Sequence, residues 1–192
     1  QMKPDVLIKL LSHYNAEDDS IVWESIESVL DGLHSVMSDD DVMSERFRKF
    51  AQGMVMGWTK VVGWDPSPDD GHLTSLMLGA MVRLLCTYCF DNEAVAKEAT
   101  TRFAKFQENA ADMVALPSDM RTSVFKIVLK NGGQTEYDSV LSYFDTADNQ
   151  AERKIVLGSL GSIPNPELKL KTLEWAISGK VKLQDIFYPM GS

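Results

Sequence analysis

The chain has 192 residues, 44% of them hydrophobic and 24% charged, ordinary proportions for a globular domain in water. At this length about 70% of the unfolded surface is buried on folding, so neither a disulfide nor a metal is needed to hold a core. The formal net charge of -9 repels phosphate backbones and anionic lipid, which excludes nucleic acid and membrane surfaces as partners.

Pro4 to Tyr14 is predicted as a short amphipathic helix with Val6, Leu7, Leu10 and Leu11 inward, without the apolar run of a secretory leader. Asn15 to Ser20 reads as a polar turn. The next helix carries Trp23, Ile26, Leu30, Leu33 and Met37 at a three-four spacing that makes a narrow apolar seam. Asp39-Asp40-Asp41 starts a long helix, where three acids suit the positive end of the helix dipole. A calcium loop would need alternate acids, a glycine and a distal glutamate, which do not follow. That helix places Met43, Phe47, Phe50, Met54, Trp58 and Val61 on one side and reaches Gly63-Trp64.

Asp65 to Gly71 is the clearest loop, with two prolines and a glycine. His72 to Phe90 is a buried apolar helix; its longest apolar run, Leu76 to Phe90, is interrupted by Arg83 and is too short to span a bilayer. Asn92 to Ala111 is a polar, alanine-rich helix carrying Phe103 and Phe106.

Two helix-turn-helix units of nearly equal length follow. The first runs from Leu116-Pro117-Ser118-Asp119 through Gly132-Gly133 to Phe144, the second from Asp148-Asn149-Gln150 through Gly161 to Ile177. Thr135 and Asn165 are matching points, roughly 30 residues apart, within the range of helical repeat arrays. Thr135-Glu136-Tyr137-Asp138 reads as a capping box, with Tyr137, Val140, Leu141 and Phe144 lining one face. Asn165-Pro166-Glu167 combines a cap, a proline at the first helical position and an acid in the first turn. Leu168, Leu173, Ala176 and Ile177 are predicted to share a face, with Gly179 as the stop. One such pair cannot bury its stripe alone, whereas stacked pairs bury it jointly. Val181 to Phe187 is predicted to start a further helix. The fold expected is all-α, a right-handed α-α superhelix of HEAT/armadillo-like helix pairs forming a single domain over residues 1–192. The start at Gln1 and the stop at Ser192 lead to the expectation of a piece of a longer polypeptide.

Reactive groups are sparse. Cys86 and Cys89 form a C-x-x-C, but a zinc site needs a second pair or nearby histidines, and His13, His34 and His72 are scattered. The cysteines sit near the C-terminal end of a helix, where the dipole opposes thiolate formation, so they are read as packing groups suited to a reducing compartment. His72, after Gly71 at a helix start, reads as a cap. The pairs Glu17-Asp18 and Asp69-Asp70 lie in hydrated turns. No metalloprotease, serine-hydrolase or phosphate-loop motif occurs. No catalytic, cofactor-binding or metal-ligating residue is therefore expected, and the methionines and Trp23, Trp58 and Trp175 are read as core.

Leu116-Pro117-Ser118-Asp119-Met120-Arg121, followed by an apolar helix from Val124 to Gly133, resembles the start of a unit in one family. That family is the C-terminal helical domain of zinc aminopeptidases of the puromycin-sensitive and aminopeptidase N type. Trp23-Glu24, Gly63-Trp64, His72-Leu73 and Gln184-Asp185-Ile186 look similar in the same order. The resemblance implies a parent enzyme whose separate domain holds zinc through H-E-x-x-H and a distant glutamate, and binds the substrate amine through G-A-M-E-N. It also implies a helical domain that encloses the active site and limits or guides peptide access. In this chain Gly79-Ala80-Met81 is followed by Val82-Arg83 and lies inside a predicted helix, so it is read as chance. The family often has an arginine where Leu78 stands. The expectation is a non-catalytic domain whose partners are the catalytic domain of the same polypeptide and peptide substrates. No cofactor is expected in the chain itself, and the location implied is cytoplasmic. The alternative is a freestanding helical-repeat adaptor that binds another protein.

Overall fold

Five helix starts in this chain are closed by a short polar side chain that accepts from the first turn. The computed structural model describes residues 3–14, 17, 19–65 and 72–191. The helices are α1 (Pro4–Leu11), α2 (Ser20–Met37), α3 (Asp41–Val62), α4 (His72–Tyr88), α5 (Glu93–Glu108), α6 (Ser118–Asn131), α7 (Gln134–Thr146), α8 (Gln150–Leu160) and α9 (Pro166–Trp175). Asp19, Asp40, Asn92 and Asn165 each accept two backbone N–H bonds from the turn that follows, and Asn149 accepts one from Glu152. Asp40, the middle acid of the triplet, is thus the cap of α3. No strand occurs among the described residues. The Gln1-Met2 opening, most of the predicted turn 15–20 and the loop 66–71 lie outside them, with Asp18, Asp69 and Asp70. So does the side chain of His72, expected as a cap.

The chain divides into two compact units, residues 1–89 and 90–192. In the first, α2, α3 and α4 pack on one another. Trp23 of α2 stacks on Trp58 of α3 at 4.0 Å between ring centroids, with planes 8° apart. The Trp23 indole donates to the Glu17 carbonyl at 2.9 Å. Ile26, Leu30, Leu33, Phe47 and Met54 are buried as the spacing predicts. Helix α4 is buried from Leu78 to Tyr88 except around Arg83, which turns outward and pairs with both oxygens of Glu27 at 3.0 and 3.1 Å. Gly63 ends α3 with φ 73°, a conformation that favours glycine.

Helix α1 departs from the expectation. Leu11 is buried, Leu7 is half-buried, and Val6 and Leu10 are 48% and 46% exposed. Leu7-Leu11 and Val6-Leu10 are separate i, i+4 rows about 100° apart around the helix. A two-turn helix rests on one row only. Met43, in the first turn of α3, is likewise exposed, while Met37 and Phe50 are half-buried.

The second unit contains the predicted helix pairs. Helix α6 packs on α5 and α8, and α7 packs on α6 and α8. Pro117 and Gly133 head the helices of the first pair, Asn149 and Asn165 those of the second, at matching spacing. Helix α7 begins two residues earlier than the sequence implied. Gly133, not Thr135, is its cap, and the Gly133 N–H donates to Glu136 Oε2 at 2.8 Å. Only the glutamate half of a capping box forms, because glycine has no side chain to return the bond. The preceding Gly132 is a steric requirement. A Cβ there would lie 2.6 Å from Glu136 Cγ and 2.8 Å from the Val128 carbonyl oxygen.

The buried face of α9 also differs from the prediction. Leu168, Thr172 and Ala176 face inward, whereas Leu173 is exposed and Ile177 is 68% exposed. The cause is Tyr137, fully buried on α7, whose hydroxyl needs a partner. Thr172 Oγ1 lies 3.0 Å from Tyr137 Oη and donates to the Leu168 carbonyl at 2.8 Å. That polar pairing selects the row 168, 172, 176. After Trp175 the helix loosens into a π-turn, Ala176–Lys180, that closes on Gly179 at φ 91°. Residues 181–187 form no α-helix. They fold into a 3₁₀ turn, Leu183–Asp185, followed by a second, Tyr188–Gly191. The Asp185 carboxylate is buried and accepts from Gln150 Nε2 at 2.8 Å, with Lys154 Nζ at 3.8 Å. Val181 is buried as well. These anchors pull the segment onto α8, and Pro189 has no N–H to continue a helix.

Candidate functional site

A cavity in the second unit, of about 800 Å³, is bounded by the C-terminal end of α5, the 109–115 loop and the facing ends of α6, α7 and α8. Its construction starts from the α5–α6 loop, whose carbonyls have no helix ladder to pair with and need donors. Two buried arginines supply them. Arg102 of α5 donates to the Ala115 carbonyl at 3.1 Å while its Nε bonds Glu98 at 2.8 Å. Arg121 of α6 donates from Nε to the Leu116 carbonyl at 3.2 Å and from Nη2 to the Ala110 carbonyl at 2.9 Å. Nη2 also lies 3.2 Å from the Met113 sulfur.

The other end of the Arg121 guanidinium reaches α8, where Nη1 pairs with Glu152 Oε2 at 2.8 Å. Tyr143 of α7 donates its hydroxyl to the same oxygen at 3.0 Å. The guanidinium carbon sits 4.9 Å from the Phe106 ring centroid, and the Tyr143 ring meets Phe106 edge-on at 4.8 Å. This is the physical content of Leu116-Pro117-Ser118-Asp119-Met120-Arg121. Leu116 is a fully buried anchor, Pro117 heads the helix, Asp119 sits exposed in the first turn, and Arg121 ties α6 to the loop before it and the helix after it. Arg102, Glu152 and Tyr143 carried no local sequence signal for this role. Their positions become meaningful once α5, α7 and α8 are packed against α6.

The polar groups of the arrangement are bonded to one another. Burial, then the bond to Glu152, push the Tyr143 phenol up to about 12, so it stays protonated at neutral pH. The donors of Arg121 are aimed at protein acceptors.

The remaining sequence candidates lie elsewhere. Cys86 and Cys89 are buried in α4, with Cys89 Sγ 4.0 Å from the Gln52 carbonyl oxygen. His13 Nδ1 lies 2.8 Å from the Lys9 carbonyl oxygen. His34 packs tilted against Tyr88 at 5.7 Å. Gly79-Ala80-Met81 is buried inside α4, and Leu78 is buried beside it. Among the described residues no group of three or more histidine, cysteine, aspartate or glutamate side chains is placed to hold a metal ion, so no metal chemistry is assigned to them. Among the same residues no helix is long and apolar enough to cross a membrane.

Fold and site together define an all-helical domain: packed helix pairs, loop carbonyls held by buried arginines, and a cavity at the ends of α5 to α8. All 192 residues match the family model of the ERAP1-like C-terminal domain, and the chain belongs to that family. It is 26% identical over 185 residues to the alanine/arginine aminopeptidase of Saccharomyces cerevisiae, covering 95% of this chain and 21% of that protein. It is 28% identical over 194 residues to aminopeptidase M1-B of rice, covering 96% and 21%. With aminopeptidase M1 of Arabidopsis thaliana the identity is 26% over 186 residues, covering 95% and 21%. The chain thus spans about a fifth of the length of these curated relatives.

Proposed function

We propose that this chain is the C-terminal helical domain of a zinc aminopeptidase, and that it encloses the active site of the parent and limits or guides the entry of peptides. The parent removes N-terminal residues from peptides with zinc held on a separate catalytic domain, which is the principal partner of this one. The observation that carries the reading is the family match over the whole chain, together with relatives that are aminopeptidases about five times longer. The absence of a catalytic constellation around Arg121, Tyr143 and Glu152 fits a domain that shapes access. The even spacing of helix caps in the second unit supports a right-handed α-α superhelix of HEAT/armadillo-like pairs, a shape suited to covering a cleft. We place the protein in the cytoplasm, on the reading of Cys86 and Cys89 as packing thiols.

Two assays test this. The isolated chain, given zinc, is expected to release no amino acid from an aminoacyl reporter; zinc-dependent turnover would sink the proposal. In the longer polypeptide, removing this domain should change the ratio of kcat/KM for long peptides to that for a single-residue reporter. An unchanged ratio would show that the domain does not govern access.

A further inference from the structure

The cavity beside Arg121 has a charge balance that selects its occupant. Its lining holds one cation, Arg121, and two carboxylates, Asp148 and Glu152. Arg121 is spent: its guanidinium serves the Leu116 and Ala110 carbonyls, the Met113 sulfur and Glu152. An anion entering the cavity therefore meets no available donor of full positive charge. The charge of Glu152 is already balanced by Arg121, and its Oε2 also accepts from Tyr143. Asp148, at the rim in the turn between α7 and α8, is exposed and has no ion-pair partner among the described residues. Its charge is felt inside the cavity, where it adds to the upward shift of the Tyr143 phenol. The rings of Phe103, Phe106 and Tyr143 also line the cavity, an aromatic floor whose Phe106 ring already carries the Arg121 guanidinium and which suits cations as well as apolar stems. Ser139 and Ser142 add hydroxyls on the α7 side. About 800 Å³ is in the range of pockets that enclose a small ligand or a side chain.

We infer that this cavity is a docking site for a basic side chain, a lysine or arginine of a peptide, with the aliphatic stem on the aromatic floor and the charged head on Asp148. The long stem and terminal charge of these residues match an apolar floor with a carboxylate at the rim. The net charge of -9 favours the approach of such cations. The site belongs to this chain alone and does not depend on the parent enzyme proposed above.

The test uses the full 192-residue chain and three blocked peptides, acetylated and amidated, that differ at one central position: arginine, lysine or norleucine. Amide shifts of Ser139, Ser142 and Tyr143 report binding. Arginine and lysine peptides should move these signals with saturation, and should bind about tenfold more tightly than the norleucine peptide. Asp148→Asn should reduce the basic peptides to the norleucine level, and raised salt should do the same in part. Ser142→Trp, which fills the cavity while leaving Asp148 in place, should abolish binding of all three. Equal binding of norleucine and basic peptides, an Asp148→Asn variant that binds as before, or no shift up to about 10 mM peptide would each overturn the assignment.

Discussion

The two units solve the same packing problem by different means. Residues 1–89 are held by large apolar contacts between long helices: the Trp23–Trp58 stack, the Leu30–Leu33 seam and the buried length of α4. Among the described residues, all the buried charged, serine and threonine side chains lie in residues 90–192, namely Arg102, Arg121, Ser123, Ser159, Thr172 and Asp185. The difference follows from helix length and connection. Short helix pairs have a larger share of their backbone in loops and ends, whose carbonyls and N–H groups must be satisfied inside the fold. The second unit therefore buries side chains that donate and accept, and the first mostly buries hydrocarbon and aromatic rings.

Arg121→Ala offers the sharpest break of this contrast. It strands Glu152 and two loop carbonyls, and should cost about 3–5 kcal/mol, with amide exchange accelerating in residues 90–192. Trp58→Ala should cost a similar amount, about 3–5 kcal/mol, through lost packing, with faster exchange in residues 1–89. The chemistry is separated by a double variant. If the arginine acts on the loop as argued, Arg121→Met with Glu152→Leu regains only the part due to the stranded carboxylate and still melts below the parent chain. A double variant as stable as the parent would show that the loop carbonyls are satisfied without Arg121.

Leu129 and Leu141 grade the interior of the second unit. Leu129 is fully buried on α6 and Leu141 half-buried on α7. Truncating Leu129 to alanine should cost about 2–5 kcal/mol, and truncating Leu141 distinctly less, as measured by chemical denaturation. Equal losses would mean that the α7 face is misassigned. Gly132→Ala should cost about 1–3 kcal/mol, because the added carbon meets backbone as well as the Glu136 side chain. An unchanged unfolding midpoint would show that Glu136 gives way and that the turn tolerates a Cβ.

The smallest effect concerns the first unit and its acidity. Partial burial, then the charge of Glu27, raise the Asp31 carboxyl above its ordinary 3.8. The folded chain thus holds a proton that the unfolded chain releases, so stability falls as pH rises from about 3.8 through the folded value. Asp31→Asn should flatten that decline, as read from melting midpoints across the acid range. A decline of the same slope in the variant would assign it to another group.

The sequence was most legible where a local rule acted alone. Asn165 caps α9 as read, because a short acceptor before a first turn has one low-energy use. The order of helices in residues 118–175 follows from turn residues and periodicity in the same way. Where two helix faces compete, periodicity could not choose. The inward row of α9 depended on Tyr137 needing Thr172, a partner on another helix. Residues 181–187 have helical spacing, but Asp185 is drawn to Gln150 and Lys154, so the chain turns instead of coiling. Arg121 was visible as part of a family motif, yet its work required the Ala110 carbonyl, Glu152 and Tyr143 to arrive from three other segments. Composition, capping and period thus settled that the chain is helical and, at α9, where a helix begins. Which row of α9 is buried, and which charges meet beside the cavity, was decided by the desolvation of polar groups on packing, a cost that exists only after the helices have come together.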